Sequence, residues 1–98
     1  VLYYWGDIDA HGLQILSQLR GYCPGVRPLL MDRTTFDAFP EYQVSAPEST
    51  VTALPHLTPA EHELFQYLNT HQLRLEQERI PLQYVRSVLE GLGEVERG

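Results

Sequence analysis

The chain opens on a strand-forming run, follows it with one helical stripe, and then begins a second apolar run. That order constrains the fold more than any other feature. Leu2-Tyr3-Tyr4-Trp5 is apolar and β-forming. From about Ala10 to Gly21, Leu13, Leu16 and Leu19 recur at helical spacing with Ile15 beside them, which predicts an amphipathic helix. Gly21 and Pro24-Gly25 stop it. Val26 to Met31 reads as the second strand, and Pro28 within it marks edge or irregular pairing. Strand, helix and strand in this spacing form a βαβ unit, with a parallel pair and a right-handed crossover. The expected fold class is α/β.

The first strand runs out at Asp7 and Asp9. Side chains two apart on a strand share a face, so both carboxylates could address one point. Oxygen ligands of this kind suit a hard cation such as Mg2+. The same residues fit a plainer role, because Asp9 is well placed to cap the helix that follows. Asp32 ends the second strand, and ligands of open parallel sheets collect beyond the carboxyl ends of the strands. Three carboxylates are thus expected at one edge of the sheet.

Beyond this unit, Arg33 to Phe39 reads as a short helix with Phe36 and Phe39 facing the core. Pro40 to Leu57 is rich in Pro, Ser, Thr and Glu and reads as a long surface loop without identifiable chemistry. Thr58-Pro59-Ala60-Glu61 is a capping box with Pro in the first turn. Leu64, Phe65 and Leu68 form the buried stripe of that helix, which Asn69 and Thr70 end. Residues 71–81 read as a short extended connection. A last helix opens at Pro81, with Leu82, Val85, Val88, Leu89 and Leu92 on one face and Gly91 or Gly93 as its stop.

Ninety-eight residues suit one small domain or a piece of a larger one. The chain starts without Met, in what reads as a strand already in progress, so an excised fragment is expected. No signal peptide or membrane-length apolar run is visible. The single cysteine, Cys23, has no partner or nearby base and reads as structural, which fits a reducing, cytoplasmic setting. The net charge is −6 and all seven basic residues are Arg. That balance argues against a basic nucleic-acid grip within this piece.

Three stretches together resemble a known family. Tyr3-Tyr4-Trp5-Gly6-Asp7-Ile8-Asp9-Ala10-His11-Gly12, Leu30-Met31-Asp32-Arg33 and Leu75-Glu76-Gln77-Glu78 resemble the carboxy-terminal domain of the JetD family. These are nuclease subunits of bacterial Wadjet plasmid-defence systems, and the resemblance runs from Leu2 to about Leu92. It implies a Toprim-like, Rossmann-like domain with a mainly parallel sheet flanked by helices. Such domains are related to the A subunit of topoisomerase VI, whose D-x-D-x-x-G is matched here by Asp7, Asp9 and Gly12. The family further implies Mg2+-dependent cleavage of circular plasmid DNA, with Mn2+ able to substitute. It also implies a condensin-like complex of structural-maintenance-of-chromosomes type as partner, and a homodimer of the full-length protein.

On that resemblance, residues 1–93 are the C-terminal part of a Toprim-like catalytic domain and 94–98 a frayed tail. Asp7 and Asp9 are the expected metal ligands. Glu76 is the expected third catalytic carboxylate, as a second-metal ligand or an orienter of the first, and Glu78 a further candidate beside the metal or a phosphate; the plainer reading makes both solvated partners of Arg74 and Arg79, and it suits Glu78 better. Asp32 is either a site carboxylate or the cap of the next helix. His11 is a phosphate contact, a donor to Asp9, or a structural histidine. Gly12 allows close approach of backbone or phosphate at a helix start. Complete Toprim domains also carry a Glu on an earlier strand that this sequence does not include, so the fragment alone is not expected to cleave. Tyr3 and Tyr4 read as strand residues, not as a covalent nucleophile. Two rivals stand: a non-catalytic Toprim-like docking module, and a phosphate-handling α/β enzyme. The second lacks the usual glycine-rich loop or basic clamp.

Overall fold

The computed structural model describes residues 2–51 and 53–97. Helix α1 spans Ala10–Tyr22 and buries Leu13 and Leu16 completely, as the leucine spacing demands. It joins β1 (Tyr3–Tyr4) to β2 (Arg27–Pro28), which pair in parallel with Tyr3 opposite Arg27 and Tyr4 opposite Pro28. The expected βαβ unit is present. The Arg27 N–H donates to the Leu2 carbonyl at 2.9 Å and the Leu29 N–H to the Tyr4 carbonyl at 2.8 Å. Pro28 lies between these donors, where its missing N–H costs the pair nothing.

The strands are much shorter than expected, which corrects a first strand running from Leu2 out to Asp7 and Asp9 and a second running from Val26 to Met31. Leu30 sits at φ 57°, in the left-handed region, which ends β2 and swings the chain toward Met31. That conformation costs a branched residue roughly 1–2 kcal/mol, and Leu30 is buried where its packing can offset it. On the other side the chain leaves the ladder after Tyr4 and returns only at Ile8. There it forms an antiparallel bridge with Leu75, the Ile8 N–H donating at 2.9 Å and the Leu75 N–H at 3.0 Å. Asp7 and Asp9 therefore flank one bridging residue and do not end a continuous strand.

Helix α2 (Arg33–Ala38) buries Phe36, with Phe39 half-buried beyond its end. A turn of 3-10 helix at Pro40–Tyr42 follows, then β3 (Val44–Ser45), which pairs antiparallel with β4 (Leu73–Arg74). The supposed loop from Pro40 thus contains a strand. The protein is mixed α/β, with one parallel and one antiparallel two-stranded sheet among the described residues.

Helix α3 (Pro59–His71) begins with the expected capping box. The Thr58 side chain accepts from the Glu61 N–H, and Glu61 accepts in turn from the Thr58 N–H. It runs past Asn69 and Thr70 to His71, closing on Gln72 at φ 52°. Helix α4 (Leu82–Arg97) runs through Gly91 and Gly93, so neither glycine is its stop and 94–97 are not a tail; Gly98 lies outside the described residues. A glycine inside a helix costs only about 1 kcal/mol against alanine. On α4, Val85 is buried and Val88 packs partly, whereas Leu82 and Leu89 project into solvent. The expected apolar face is thus only half used.

A two-pronged ion pair fastens α1 to α3. Arg20 donates through both terminal nitrogens to the Glu61 carboxylate, the Nη2–Oε2 bond measuring 2.9 Å, and the two side chains are 14% and 12% exposed. Burial pushes the Glu61 carboxyl up, but the hydrogen bonds from Arg20 and Thr58 outweigh it and leave the group below the usual range. A carboxyl depressed on folding stabilises the fold above its unfolded value, near 4.3, and that contribution is lost as pH falls through the folded value. Glu61→Gln is expected to cost about 1–3 kcal/mol at pH 7. Urea titrations at pH 7 and below pH 4 check this, because the wild type should lose more stability over that drop than the variant does.

Candidate functional site

The segment from Gly6 to Gly12 is folded by its own side chains. The Gly6 N–H donates to Met31 Sδ at 3.3 Å, and the Tyr4 phenol lies over Gly6, where a Cβ would meet the hydroxyl and stand 2.8 Å from Cζ. Asp9 is extended, at φ −152°, and caps α1, with Oδ1 accepting the Gly12 N–H at 2.6 Å. Gly12 is pressed against the Asp7 backbone. A Cβ there would overlap the Asp7 carbonyl oxygen and lie 3.1 Å from Asp9 Oδ1. The D-x-D-x-x-G spacing thus has a steric cause. Aspartate one caps nothing but offers its carbonyl, aspartate two caps the helix, and only glycine fits beneath both.

The Ile8–Leu75 bridge carries a second motif to the first. Directly after it, the Gln77 N–H donates to Asp7 Oδ1 at 2.8 Å, across 70 residues of sequence. Glu76 precedes, and Gln77–Arg79 form a turn of 3-10 helix where an extended segment was expected. The turn still brings Glu76 and Glu78 together. A hydrogen bond to Glu76 and its charge raise the Glu78 carboxyl above its ordinary value, burial and Asp7 add to this, and Arg79 offsets part of it. Glu76 also pairs with Arg74 at 3.5 Å, which is the plainer role for this residue and not the catalytic one expected of it. Arg79 lies over the Tyr42 ring, 5.9 Å from its centroid.

Of the carboxylates expected at one sheet edge, Asp32 is taken by its own helix. It is exposed, and its Oδ1 accepts the Thr35 N–H at 2.8 Å at the start of α2. The cap reading is therefore the one observed. Asp7, Glu76 and Glu78 come together instead, and Asp9 follows Asp7 beyond the bridging residue Ile8. His11 is exposed in the first turn of α1, beside Asp9.

Tyr4 was read as an ordinary strand residue, yet its hydroxyl belongs to this site. Burial, then Asp9, then Asp7 raise its pKa. Gly6 was the available signal, since a residue without a side chain after Tyr-Tyr-Trp leaves room for an aromatic ring to fold back.

A hard cation can be tested against these groups. Asp7 and Asp9 each commit Oδ1 to a backbone N–H, and among the described residues the second oxygen of each carries no hydrogen bond. No three His, Cys, Asp or Glu among the described residues are placed to hold an ion. Mg2+ commonly takes one or two carboxylates and completes its shell with water and substrate phosphate, so two aspartates with free oxygens fit it. Glu76 and Glu78 add the negative surroundings that such an ion stabilises.

A family model described as "Wadjet protein JetD, C-terminal" matches residues 1–89. No curated protein matches the chain.

Proposed function

Since the chain belongs to the Wadjet JetD C-terminal family, we propose that it is the metal-dependent nuclease part of a Wadjet plasmid-defence protein. The substrate is the phosphodiester backbone of circular plasmid DNA, and the cofactor is Mg2+, with Mn2+ as a substitute. The observation that carries this reading is the meeting of two distant acidic motifs, made by the Ile8–Leu75 bridge and the Gln77-to-Asp7 hydrogen bond. A fold of Toprim type, cytoplasmic location, a condensin-like partner complex and a homodimer of the full-length protein belong to the same proposal. No helix among the described residues is long and apolar enough to cross a membrane.

Asp7 and Asp9 would hold the ion, which when bound neutralises charge on the phosphoryl oxygens and acidifies water. The protein's own part is positional. The Gln77 and Gly12 N–H groups each fix one oxygen of an aspartate and so aim the other. Glu76 stands beside Asp7 as a proton acceptor or as an orienter of bound water. The N–H groups at the start of α1 favour an anion nearby.

The docking-module alternative draws on one observation: both aspartates already have structural work as hydrogen-bond acceptors. Metal removal separates the readings. The full-length protein with its partner complex is expected to linearise plasmid in Mg2+ or Mn2+ and to stop in EDTA. Calorimetry should show Mg2+ binding that Asp7→Asn weakens. Metal-independent cleavage, or binding heat unchanged in the variant, would remove the support for this site.

A further inference from the structure

The Tyr4 ring folds back over Gly6. A Cβ at Gly6 would meet the Tyr4 hydroxyl and stand 2.8 Å from Cζ and 3.2 Å from Cε2, so the phenol fills the space that a side chain at position 6 would take. Gly6 is outside the left-handed region, so its backbone does not demand glycine. The ring above it does. Asp7 follows directly. Beyond the effect of its partial burial, the phenol feels the charge of Asp9 and then of Asp7. Among the described residues the Tyr4 hydroxyl makes no hydrogen bond, yet it is not sealed from solvent.

We propose that the Tyr4 hydroxyl donates a hydrogen bond to a non-bridging oxygen of the scissile phosphate. The inference rests on the nuclease reading above. Donors are scarce at this site. Asp7, Asp9, Glu76 and Glu78 only accept hydrogen bonds when ionised, and the Gly12 and Gln77 N–H groups already hold Asp9 and Asp7. A metal ion can cover one side of a phosphate, but the carboxylates around it repel the remaining oxygens. A neutral phenol relieves this, because it brings a donor and no charge of its own. Donors aimed in advance at developing negative charge contribute most when they need no rearrangement, and packing against Gly6 fixes this one. No covalent bond forms in this scheme, and the phenol keeps its proton.

The test is single-turnover plasmid cleavage in Mg2+ by the full-length protein with its partner complex. Tyr4→Phe should cut about 100-fold more slowly, the loss expected for one such donor. Its melting temperature, and the Mg2+ and plasmid concentrations at half-maximal rate, should match wild type, because the ring still packs and the metal ligands are untouched. Gly6→Ala keeps the hydroxyl but pushes it aside. It should also slow cleavage with little loss of stability, since only a side-chain tip must move. A Tyr4→Phe rate equal to wild type overturns the inference and leaves the nuclease standing. A slower rate that comes with a lower melting temperature or a higher Mg2+ requirement overturns it too, and makes Tyr4 a structural residue. Should Tyr4→Phe not fold, Gly6→Ala decides: slowed cleavage supports the contact and a wild-type rate removes it. Absence of Mg2+-dependent cleavage in wild type removes the nuclease reading, and this inference with it.

Discussion

Gly12→Ala is expected to lower stability by about 2 kcal/mol and to move Asp7 at the same time. The added Cβ would overlap the Asp7 carbonyl oxygen, and a backbone atom cannot rotate away as a side-chain tip can. Forcing extra volume into such a contact costs about 3 kcal/mol or more. Alanine's better helix propensity returns about 1 kcal/mol. For a domain of this size the net loss corresponds to a melting temperature lower by roughly 10 °C. Either relief is harmful, since shifting α1 strains the Asp9 cap and shifting Asp7 breaks its bond from Gln77. Thermal unfolding followed by circular dichroism checks the first effect, and plasmid cleavage the second. A variant as stable and active as wild type would mean that the contact beneath Gly12 relaxes freely.

The second large effect separates what Asp9 does for the fold from what it does for chemistry. Asp9→Asn keeps an acceptor at the cap position, and Asn caps helices as well as Asp. Its stability should stay close to wild type. Asp9→Ala removes the acceptor for the Gly12 N–H and should cost about 1 kcal/mol. Cleavage is expected to follow a different order, falling on the order of 100-fold or more in both variants, because both remove the carboxylate. If instead activity tracked stability, with Asp9→Asn fully active, Asp9 would be a cap and nothing further. The same comparison applies at Asp7, where Asn preserves an acceptor for the Gln77 N–H.

Much of the local structure was legible because its energetics are local. The capping box from Thr58 to Glu61 and the leucine stripe of α1 depend on neighbours within a turn or two, and both formed where the residues placed them. The parallel pairing of β1 and β2 followed from the crossover between them. The short strands were not legible. The left-handed turn at Leu30 has no marker, since leucine seldom adopts it and only buried packing holds it there. Nor does anything near Val44 announce β3, whose partner β4 lies beyond α3.

At the candidate site, the acidic motifs were visible and their meeting was not. Nothing in Asp7-Ile8-Asp9 announces Leu75, because the bridge at Ile8 is a tertiary pairing between distant segments. Asp32 left two readings open, and the local one holds. Its place at a strand end resembled that of Asp7, but a local cap at Thr35 satisfied it first. Tyr4 was missed because its role depends on its ring folding back over Gly6.

The most direct measurement is cleavage of circular plasmid by the full-length protein with its partner complex in Mg2+, comparing wild type with Asp7→Asn and Asp9→Asn. Circular dichroism would confirm folding, and co-purification would confirm assembly. Loss of cleavage in both variants, with fold and assembly intact, is the expected result and assigns the acidic pair to the reaction. Cleavage unchanged in both would contradict it and leave Asp7 and Asp9 as structural residues of a docking module.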